Sequence, residues 1–239
     1  MRNTLIIARR EIAGYFSSPV AYIVLIAFLL VAGWTFFSGF FIMGRADMRP
    51  FFSPSLFSPA ALLVIFAPAV TMRLVAEERK SGTMELLTSL PVRDAEVIIG
   101  KFLAAVTLFL AGLVATLVYA LSVSAIGDLD WGPVIAGYVG MGLFASSLLA
   151  VGLLCSTFTQ NQIVAFIVGF FVCAALYFVY WLRFLMPGDV AAVVEFVSVS
   201  FHLENMARGV IDSRGVIYYL TVTAAALFLA ERSLARQHA

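Results

Sequence analysis

Long hydrophobic runs alternate with short polar connections along the whole chain. The runs cover residues 20–43, 56–73, 97–126, 131–157 and 163–186, and a shorter one covers 214–231. A helix needs ~20 apolar residues to cross ~30 Å of hydrocarbon, so the first five runs are long enough to span a membrane. In the sixth, only Gly215 to Ala230 is free of charge, and we expect it to cross untilted or to thin the bilayer locally. The pattern predicts an all-α membrane protein with six transmembrane helices.

The composition agrees with this prediction. Of the 239 residues, 62% are hydrophobic and 12% are charged. No Asp, Glu, Lys or Arg occurs from Trp131 through Leu182, and a water-soluble domain of this size needs more charged surface than that. We therefore expect residues 1–239 to form a single transmembrane domain. The first apolar run is too long for the hydrophobic region of a signal peptide and is expected to be a span.

Basic residues in the connections predict the orientation. If the N-terminus lies inside, ten of the fifteen Lys and Arg residues fall on the cytoplasmic side, as the positive-inside rule favours. We therefore expect a multi-pass protein of the plasma (inner) membrane with both termini in the cytoplasm. Lys101 lies within about one turn of a span end, and we expect its side chain to snorkel to the inner interface.

Residues 2–16 precede the first span and predict an interfacial amphipathic helix. Its apolar face has helical spacing and consists of Leu5, Ala8, Ile12, Tyr15 and Phe16. Arg10, Glu11 and Gly14 lie opposite. Such a helix would lie in the inner headgroup layer with its arginines near anionic lipid. The alternative is an ordinary basic flank that only sets the topology.

Small residues recur every four positions on two of the predicted spans. They are Gly142, Ser146 and Ala150 on the fourth span, and Ala165, Gly169 and Cys173 on the fifth. This spacing lets helices approach closely in lipid, and it fits packing within one subunit as well as dimerisation. The other cysteine, Cys155, also lies in an apolar run, and we interpret both cysteines as packing residues.

The connection from Glu77 to Glu96 is too polar to cross a membrane and too short to fold alone. Ser81-Gly82-Thr83 predicts a break followed by a helix start, with Thr83 as the N-cap and Glu85 in the first turn. Pro91 ends this helix after two turns. Because so short a helix is unstable in water, it must dock on a soluble partner or on the inner leaflet.

This connection resembles a segment of a known family. The similarity is carried by Glu77-Glu78-Arg79-Lys80-Ser81-Gly82-Thr83-Met84-Glu85-Leu86-Leu87, followed by Pro91-Val92. It is similar to the segment after the second span in type-2 ABC exporter permeases, where a short cytoplasmic coupling helix fits a cleft of a separate ATP-binding cassette ATPase. The six spans, the amphipathic N-terminus and the long fifth connection extend the resemblance over essentially the full chain.

The resemblance implies a permease subunit that couples ATP hydrolysis by a separate subunit to substrate export or to mechanical work. It assigns the following residues to the ATPase contact: Glu77, Glu78, Gly82, Thr83, Met84, Glu85, Leu87 and Pro91. It places ATP and Mg on the partner, with no cofactor bound by this chain. We expect two cytoplasmic ATPase subunits per complex, a homodimer or a pairing with a related permease, contacts with membrane lipids, and room for an auxiliary extracytoplasmic protein.

A second similarity lies near the C-terminus and indicates a branch of the family. It comprises Ser198, Ser200 and His202, then Arg208-Gly209-Val210-Ile211-Asp212, and then Val216-Ile217-Tyr218-Tyr219-Leu220. These residues resemble the branch that includes gliding-motility-associated and copper-reductase-maturation permeases. The systems in that branch differ widely, so the transported substrate stays open.

The connection at about 187–213 is the longest on the predicted outer side. One arrangement is a re-entrant hairpin between spans, because polar backbone at that depth is tolerated only when protein covers it. As a hypothesis this hairpin forms the outer gate, with polar contacts from Glu195, His202, Glu204 and Arg208. A catalytic or metal-binding His202 is the less favoured interpretation.

Several functions are disfavoured by motifs that the sequence does not contain. There is no G-x-x-x-x-G-K-[ST] phosphate-binding loop, no G-x-S-x-G or H-E-x-x-H motif, and no Cys/His cluster. There is also no basic stripe of the kind that nucleic acid requires. The alternative to ATP-driven export is an ATP-independent secondary transporter or channel for small amphiphilic solutes. It is weaker, because ion-driven pumps usually need ionisable groups at mid-depth in their spans.

Overall fold

The computed structural model describes residues 2–83, 92–185 and 187–236. Within these ranges the chain is helical and contains no strand, so the predicted all-α class is confirmed. The helices, numbered in chain order, are α1 (Arg2–Ser17), α2 (Pro19–Met43), α3 (Arg49–Phe52), α4 (Pro59–Thr71), α5 (Ala76–Lys80), α6 (Asp94–Ala115), α7 (Leu117–Ile126), α8 (Trp131–Thr157), α9 (Gln162–Leu182), α10 (Gly188–Val197), α11 (Val199–Ala207) and α12 (Ser213–Ala235).

Six helical stretches are long and apolar enough to cross a membrane, which confirms the predicted number of spans. They are Ala21–Ile42, Pro59–Lys80, Asp94–Ile126, Trp131–Thr157, Gln162–Leu182 and Ser213–Ala235. The sixth stretch has 23 residues, because its helix begins before Gly215 and continues through Glu231 and Arg232.

Helix α8 forms the centre of the bundle. It packs against α4, α6, α9, α11 and α12, and it is the most deeply buried of the six candidate spans. Glycines allow two neighbours to reach its backbone. A Cβ atom added at Gly137 would lie 2.3 Å from the ring of Phe52, and one at Gly140 would lie 2.8 Å from Cβ of Met206. Helices α3 and α11 are therefore seated tightly against α8.

The two ends of the bundle are built differently. Helices α1 and α5 and the beginning of α6 meet at one end, which we call the hinge end. Helices α3, α10 and α11 lie at the other, which we call the hairpin end. Helix α11 packs against α3, α8 and α9, and its residues Val199, Leu203 and Met206 are buried there. The connection after α9 thus folds back against the bundle as a helical hairpin of α10 and α11.

Helix α1 packs along α6. Ile7 is buried at the contact, where a Cβ atom added at Gly100 of α6 would lie 2.9 Å from its Cγ2 atom. Of the predicted apolar face, Ala8 is buried and Leu5 is 65% exposed, whereas Glu11 turns towards Lys101. Helix α1 is thus held to α6 by apolar packing and by an ion pair.

The small residues of the fifth span serve packing within the chain. Ala165 and Cys173 are buried, and Gly169 lies against α4. On α8 the predicted stripe divides, because Ala150 is buried whereas a Cβ atom at Gly142 would meet no atom within 4 Å. Both cysteines are buried free thiols, as expected for packing residues.

Gly137→Ala is expected to destabilise the protein by about 1–3 kcal/mol, because the added methyl group displaces the Phe52 ring in a filled core. Gly142→Ala is the matched control on the same helix. It meets no atom and is expected to be neutral or to stabilise by up to ~1 kcal/mol, because alanine favours helices over glycine. Thermal unfolding of the detergent-solubilised variants measures the difference. Equal unfolding temperatures would contradict the close α3–α8 contact.

Candidate functional site

The second candidate span bends at the hinge end, where residues 72–75 form a turn between α4 and α5. The hydroxyl of Ser156 on α8 accepts the backbone N–H groups of Val75 at 3.3 Å and Ala76 at 3.1 Å. The same hydroxyl donates to the carbonyl of Met72 at 3.1 Å. A neighbouring helix thus satisfies backbone groups that the bend takes out of the helical ladder, as an apolar environment requires. We call residues 72–75 the hinge turn.

Contacts on two sides hold the hinge turn in place. Arg79 of α5 donates to the carbonyl of Thr157 at the end of α8, at 2.8 Å. Tyr15 of α1 donates to the carbonyl of Val70, just before the turn, at 2.9 Å. Helix α5 leads directly into the polar connection, so a displacement of that connection acts on both α1 and α8.

Four charged side chains join three helices beside the hinge turn. Lys101 of α6 is fully buried. Its Nζ atom lies 2.7 Å from Oε2 of Glu78 on α5 and 3.2 Å from Oε1 of Glu11 on α1. Arg10 donates to the same two carboxylates, at 2.8 Å to Glu78 and 2.9 Å to Glu11. We call these four residues the hinge cluster.

The hinge cluster is neutral, with two cations facing two carboxylates. The expected snorkelling of Lys101 takes the form of ion pairs, because its ammonium group is buried between Glu11 and Glu78, which are themselves only slightly exposed. Burying an ammonium group costs several kcal/mol, which the paired carboxylates offset. Removing one partner of such a pair costs about 3–5 kcal/mol. The cluster therefore favours one arrangement of α1, α5 and α6 and opposes any displacement of α5.

The structure describes half of the residues that the sequence assigned to the ATPase contact. Glu77 and Glu78 lie on α5, and Glu77 pairs with Arg73 at 3.2 Å. Gly82 has a φ of +72°, a conformation that favours glycine, and Thr83 donates its hydroxyl to the carbonyl of Glu78 at 3.3 Å. Outside the described residues lie Met84, Glu85, Leu87 and Pro91.

A polar cleft of about 420 Å³ separates α1 from α5 and the hinge turn. Charged side chains of both signs line it, including Arg10, Arg73 and Glu77, and it reaches Ser81 and Thr83 where the polar connection begins. Such a surface suits a polar segment of a protein partner better than an apolar solute. Among the described residues, no group of three His, Cys, Asp or Glu side chains could hold a metal ion.

The tip of the hairpin lies at Ser198, between α10 and α11. The backbone carbonyls on either side of this tip accept hydrogen bonds from α12. The carbonyl of Val197 accepts the hydroxyl of Tyr218, and the carbonyl of Val199 accepts the hydroxyl of Tyr219 at 2.7 Å. The hairpin is therefore stabilised by a neighbouring helix in the same way as the hinge turn.

His202 of α11 contacts aromatic rings and a backbone carbonyl. Its ring centroid lies 4.4 Å from that of Tyr218, and its Nε2 atom lies 3.3 Å from the carbonyl of Phe196. Burial lowers the pKa of His202, and it outweighs the opposite effects of the Phe196 carbonyl and of Asp212. The imidazole is therefore neutral at pH 7, which suits a structural role beside the hairpin tip.

The other proposed gate residues form one polar network with the end of α9. Arg183 lies 3.4 Å from Glu195 of α10 and 4.0 Å from Glu204 of α11. Glu204 also pairs with Arg208 and accepts a hydrogen bond from Tyr180. The structure thus brings Glu195, Glu204 and Arg208 together, adds Arg183 and Tyr180 to them, and places His202 apart.

Two residues of the hinge end, Lys101 and Ser156, were not predicted from the sequence as contacts of the hinge turn and the polar connection. Lys101 carried a signal, because an ionisable residue within an apolar run usually has a buried partner and a function. Ser156 carried none, because serine in a helix commonly bonds to its own backbone. Only its contact with the hinge turn distinguishes Ser156 from the other serines of α8.

The candidate spans, the hinge turn and the hairpin define a multi-pass helical membrane protein. The family model described as "ABC-2 family transporter protein" matches residues 46–230, and the chain belongs to this family. It is similar to the "Probable multidrug ABC transporter permease YbhR" of Escherichia coli (strain K12), with 35% identity over 126 residues, 53% of this chain and 33% of the relative. The same protein of Escherichia coli O157:H7 shows the same identity and coverage. The matched part thus spans about a third of these relatives.

Ser156→Ala is expected to destabilise the hinge turn by about 1–3 kcal/mol, because two buried N–H groups lose their acceptor. Ser147→Ala is the matched control, since Ser147 is a buried serine of α8 that bonds only to its own helix, and its effect is expected to stay below about 1 kcal/mol. Hydrogen exchange of peptides covering residues 72–80 measures the change. Unchanged exchange in Ser156→Ala would contradict the assigned contact.

Proposed function

We propose that the chain is the permease subunit of an ATP-binding cassette export system and that separate cytoplasmic ATPase subunits hydrolyse the ATP. Membership of the ABC-2 family supports this class, and the names of the Escherichia coli relatives agree with it. The observation that carries the mechanism is the hinge cluster. It joins α5, which leads into the polar connection, to α1 and α6 through ion pairs around the buried Lys101.

In this proposal the ATPase docks on the polar connection. The contact residues are Glu77, Glu78, Gly82, Thr83, Met84, Glu85, Leu87 and Pro91. Closure of the ATPase pair displaces α5, and the displacement passes through Glu78 to α1 and α6. It passes through Arg79 and Ser156 to α8. Coupling of this kind needs packed elements with two discrete arrangements. In this proposal the hinge cluster supplies such an element, because it opposes intermediate positions of α5.

The proposal includes an assembly and an orientation. The excess of basic residues places the hinge end and both termini in the cytoplasm, in a plasma (inner) membrane protein. Cassette ATPases work in pairs, and one chain offers one polar connection, so two permease chains are needed, either as a homodimer or with a related permease. The chain itself binds no cofactor, and ATP and Mg lie on the ATPase. An auxiliary extracytoplasmic protein would contact the hairpin end.

The segment from Ser198 to Leu220 supports a place in the branch with gliding-motility-associated and copper-reductase-maturation permeases. Two residues of this segment, Tyr218 and Tyr219, donate hydrogen bonds to backbone carbonyls at the hairpin tip and so stabilise it. Under the proposed function the hairpin is the outer gate, and Glu195, His202, Glu204 and Arg208 are its polar contacts.

Purification of the tagged chain from its native membrane in mild detergent is expected to yield a stoichiometric soluble ATPase, identified by mass. Met84→Asp and Glu85→Arg are expected to lose this partner, because each reverses the polarity of a contact residue. The matched controls are Ile211→Asp and Asp128→Arg, at exposed positions of the hairpin end. A chain that emerges alone, while other membrane complexes stay intact, would contradict the proposal. ATP-independent transport that an uncoupler abolishes would establish the alternative, a secondary transporter.

Coupling through the hinge cluster is tested by the double variant Lys101→Met with Glu11→Gln. It removes one charge of each sign, leaves the Arg10–Glu78 pair and changes no ATPase contact residue, so we expect the ATPase to remain bound. Spin labels at the exposed Ile6 and Leu229 report the distance between α1 and α12 in the complex. We expect the ATP-dependent change in this distance to be lost.

The control for the hinge-cluster variant is Arg49→Gln with Asp130→Asn, which removes an exposed ion pair at the hairpin end. It also removes one charge of each sign, and we expect it to keep the ATP-dependent change in distance. An undiminished change in the hinge-cluster variant would show that the buried charges do not transmit the displacement.

A further inference from the structure

A cavity of about 140 Å³ lies at the hairpin end between α2 and α3, apart from the hinge cluster and from the polar network of the hairpin. Its wall includes Phe36, Phe40, Phe51 and Phe57. Phe36 and Phe51 stand edge to face with their centroids 5.7 Å apart, whereas Phe57 is 79% exposed. A concave wall of aromatic rings binds apolar groups well.

The cavity also carries a cation, Arg45, that has no ionic partner among the residues that the structure describes. Arg45 and Asp47 both line it. The carboxylate of Asp47 is turned to Arg49, whose backbone N–H it accepts at 2.9 Å and whose Nε atom lies 4.0 Å away. In the part of the chain that the structure describes, no carboxylate lies within ion-pair distance of Arg45. Arg45 is therefore free to meet an anion at the cavity.

The cavity lies near the end of a candidate span, at the level of the membrane interface. Residues 35–40 belong to the last turns of the first candidate span, Ala21–Ile42. At this level acyl chains meet headgroups. The volume accommodates about four or five chain carbons, if each occupies roughly the ~30 Å³ of a small molecule such as water. The phenylalanine rings can thus contact the apolar chain of an amphiphile, and the arginine beside them can contact its anionic headgroup.

We propose that this cavity binds an anionic phospholipid of the leaflet at the hairpin end. A segment of the acyl chain packs against the phenylalanine rings, and the headgroup phosphate lies beside Arg45. A guanidinium group suits this role because its N–H groups match phosphate oxygens in pairs. The site needs no ATPase, so it does not rest on the proposed function.

Lipid titration of the delipidated full-length protein, followed by native mass spectrometry, tests the proposal. The probes are phosphatidylglycerol and phosphatidylcholine with identical acyl chains. We expect a preference of about fivefold for phosphatidylglycerol, as one basic side chain near an anionic lipid provides. Arg45→Gln is expected to remove this preference, whereas Arg214→Gln, at another arginine of the hairpin end, is expected to keep it.

Gly39→Leu tests the cavity itself. Gly39 lines the cavity, and a Cβ atom there would meet no atom within 4 Å, so a leucine side chain has room to extend into the cavity. We expect weaker binding of both lipids. Gly142→Leu, at a glycine of α8 that is equally open, is the matched control and is expected to bind as the unmodified protein does.

Three results would overturn the proposal. The first is equal affinity of the unmodified protein for the two lipids, and the second is unchanged binding in Gly39→Leu. The third is displacement of the lipid by inorganic phosphate alone, which would assign the site to a free anion. None of these results bears on the ATPase partner, whose co-purification is measured separately.

Discussion

Backbone groups in the apolar part of a bilayer have no water to bond, so protein groups must satisfy every break in a helix. Both bends described here depend on this constraint. At the hinge turn, Ser156 bonds two N–H groups and a carbonyl. At the hairpin tip, Tyr218 and Tyr219 bond the carbonyls that flank Ser198. Because α8 and α12 supply these partners, neither bend could keep its geometry apart from the bundle.

Helix α8 relates the two ends of the molecule. Its last turn holds the hinge turn through Ser156, and near its beginning Gly137 and Gly140 admit α3 and α11. With 27 residues it is about 40 Å long at 1.5 Å per residue. Under the proposed function, a displacement of α5 would reach the hairpin through this helix. The hinge cluster adds a second route, through charges, to α1 and α6.

The sequence predicted the spans better than the contacts between them. Run length located six spans, and the helix of the sixth extends past the predicted 214–231 to Ala235, with charged side chains that are tolerated near an interface. The apolar stripe of α1 predicted contact with lipid and carried no information about Glu11, which turns towards Lys101. For the hairpin, the sequence indicated a fold-back and named three of the five residues in its polar network, because these residues lie in one connection.

Helical class, number of spans and the polar connection are local properties of this chain. They follow from the lengths of the apolar runs relative to the thickness of the hydrocarbon layer, so they can be read directly from the sequence. The hinge cluster is a property of another kind. Glu11 and Lys101 are 90 positions apart, and their meeting depends on which helices are neighbours and how each is rotated. Packing against α6 brings them together, so a lysine that looked like the flank of a span becomes the buried centre of the site.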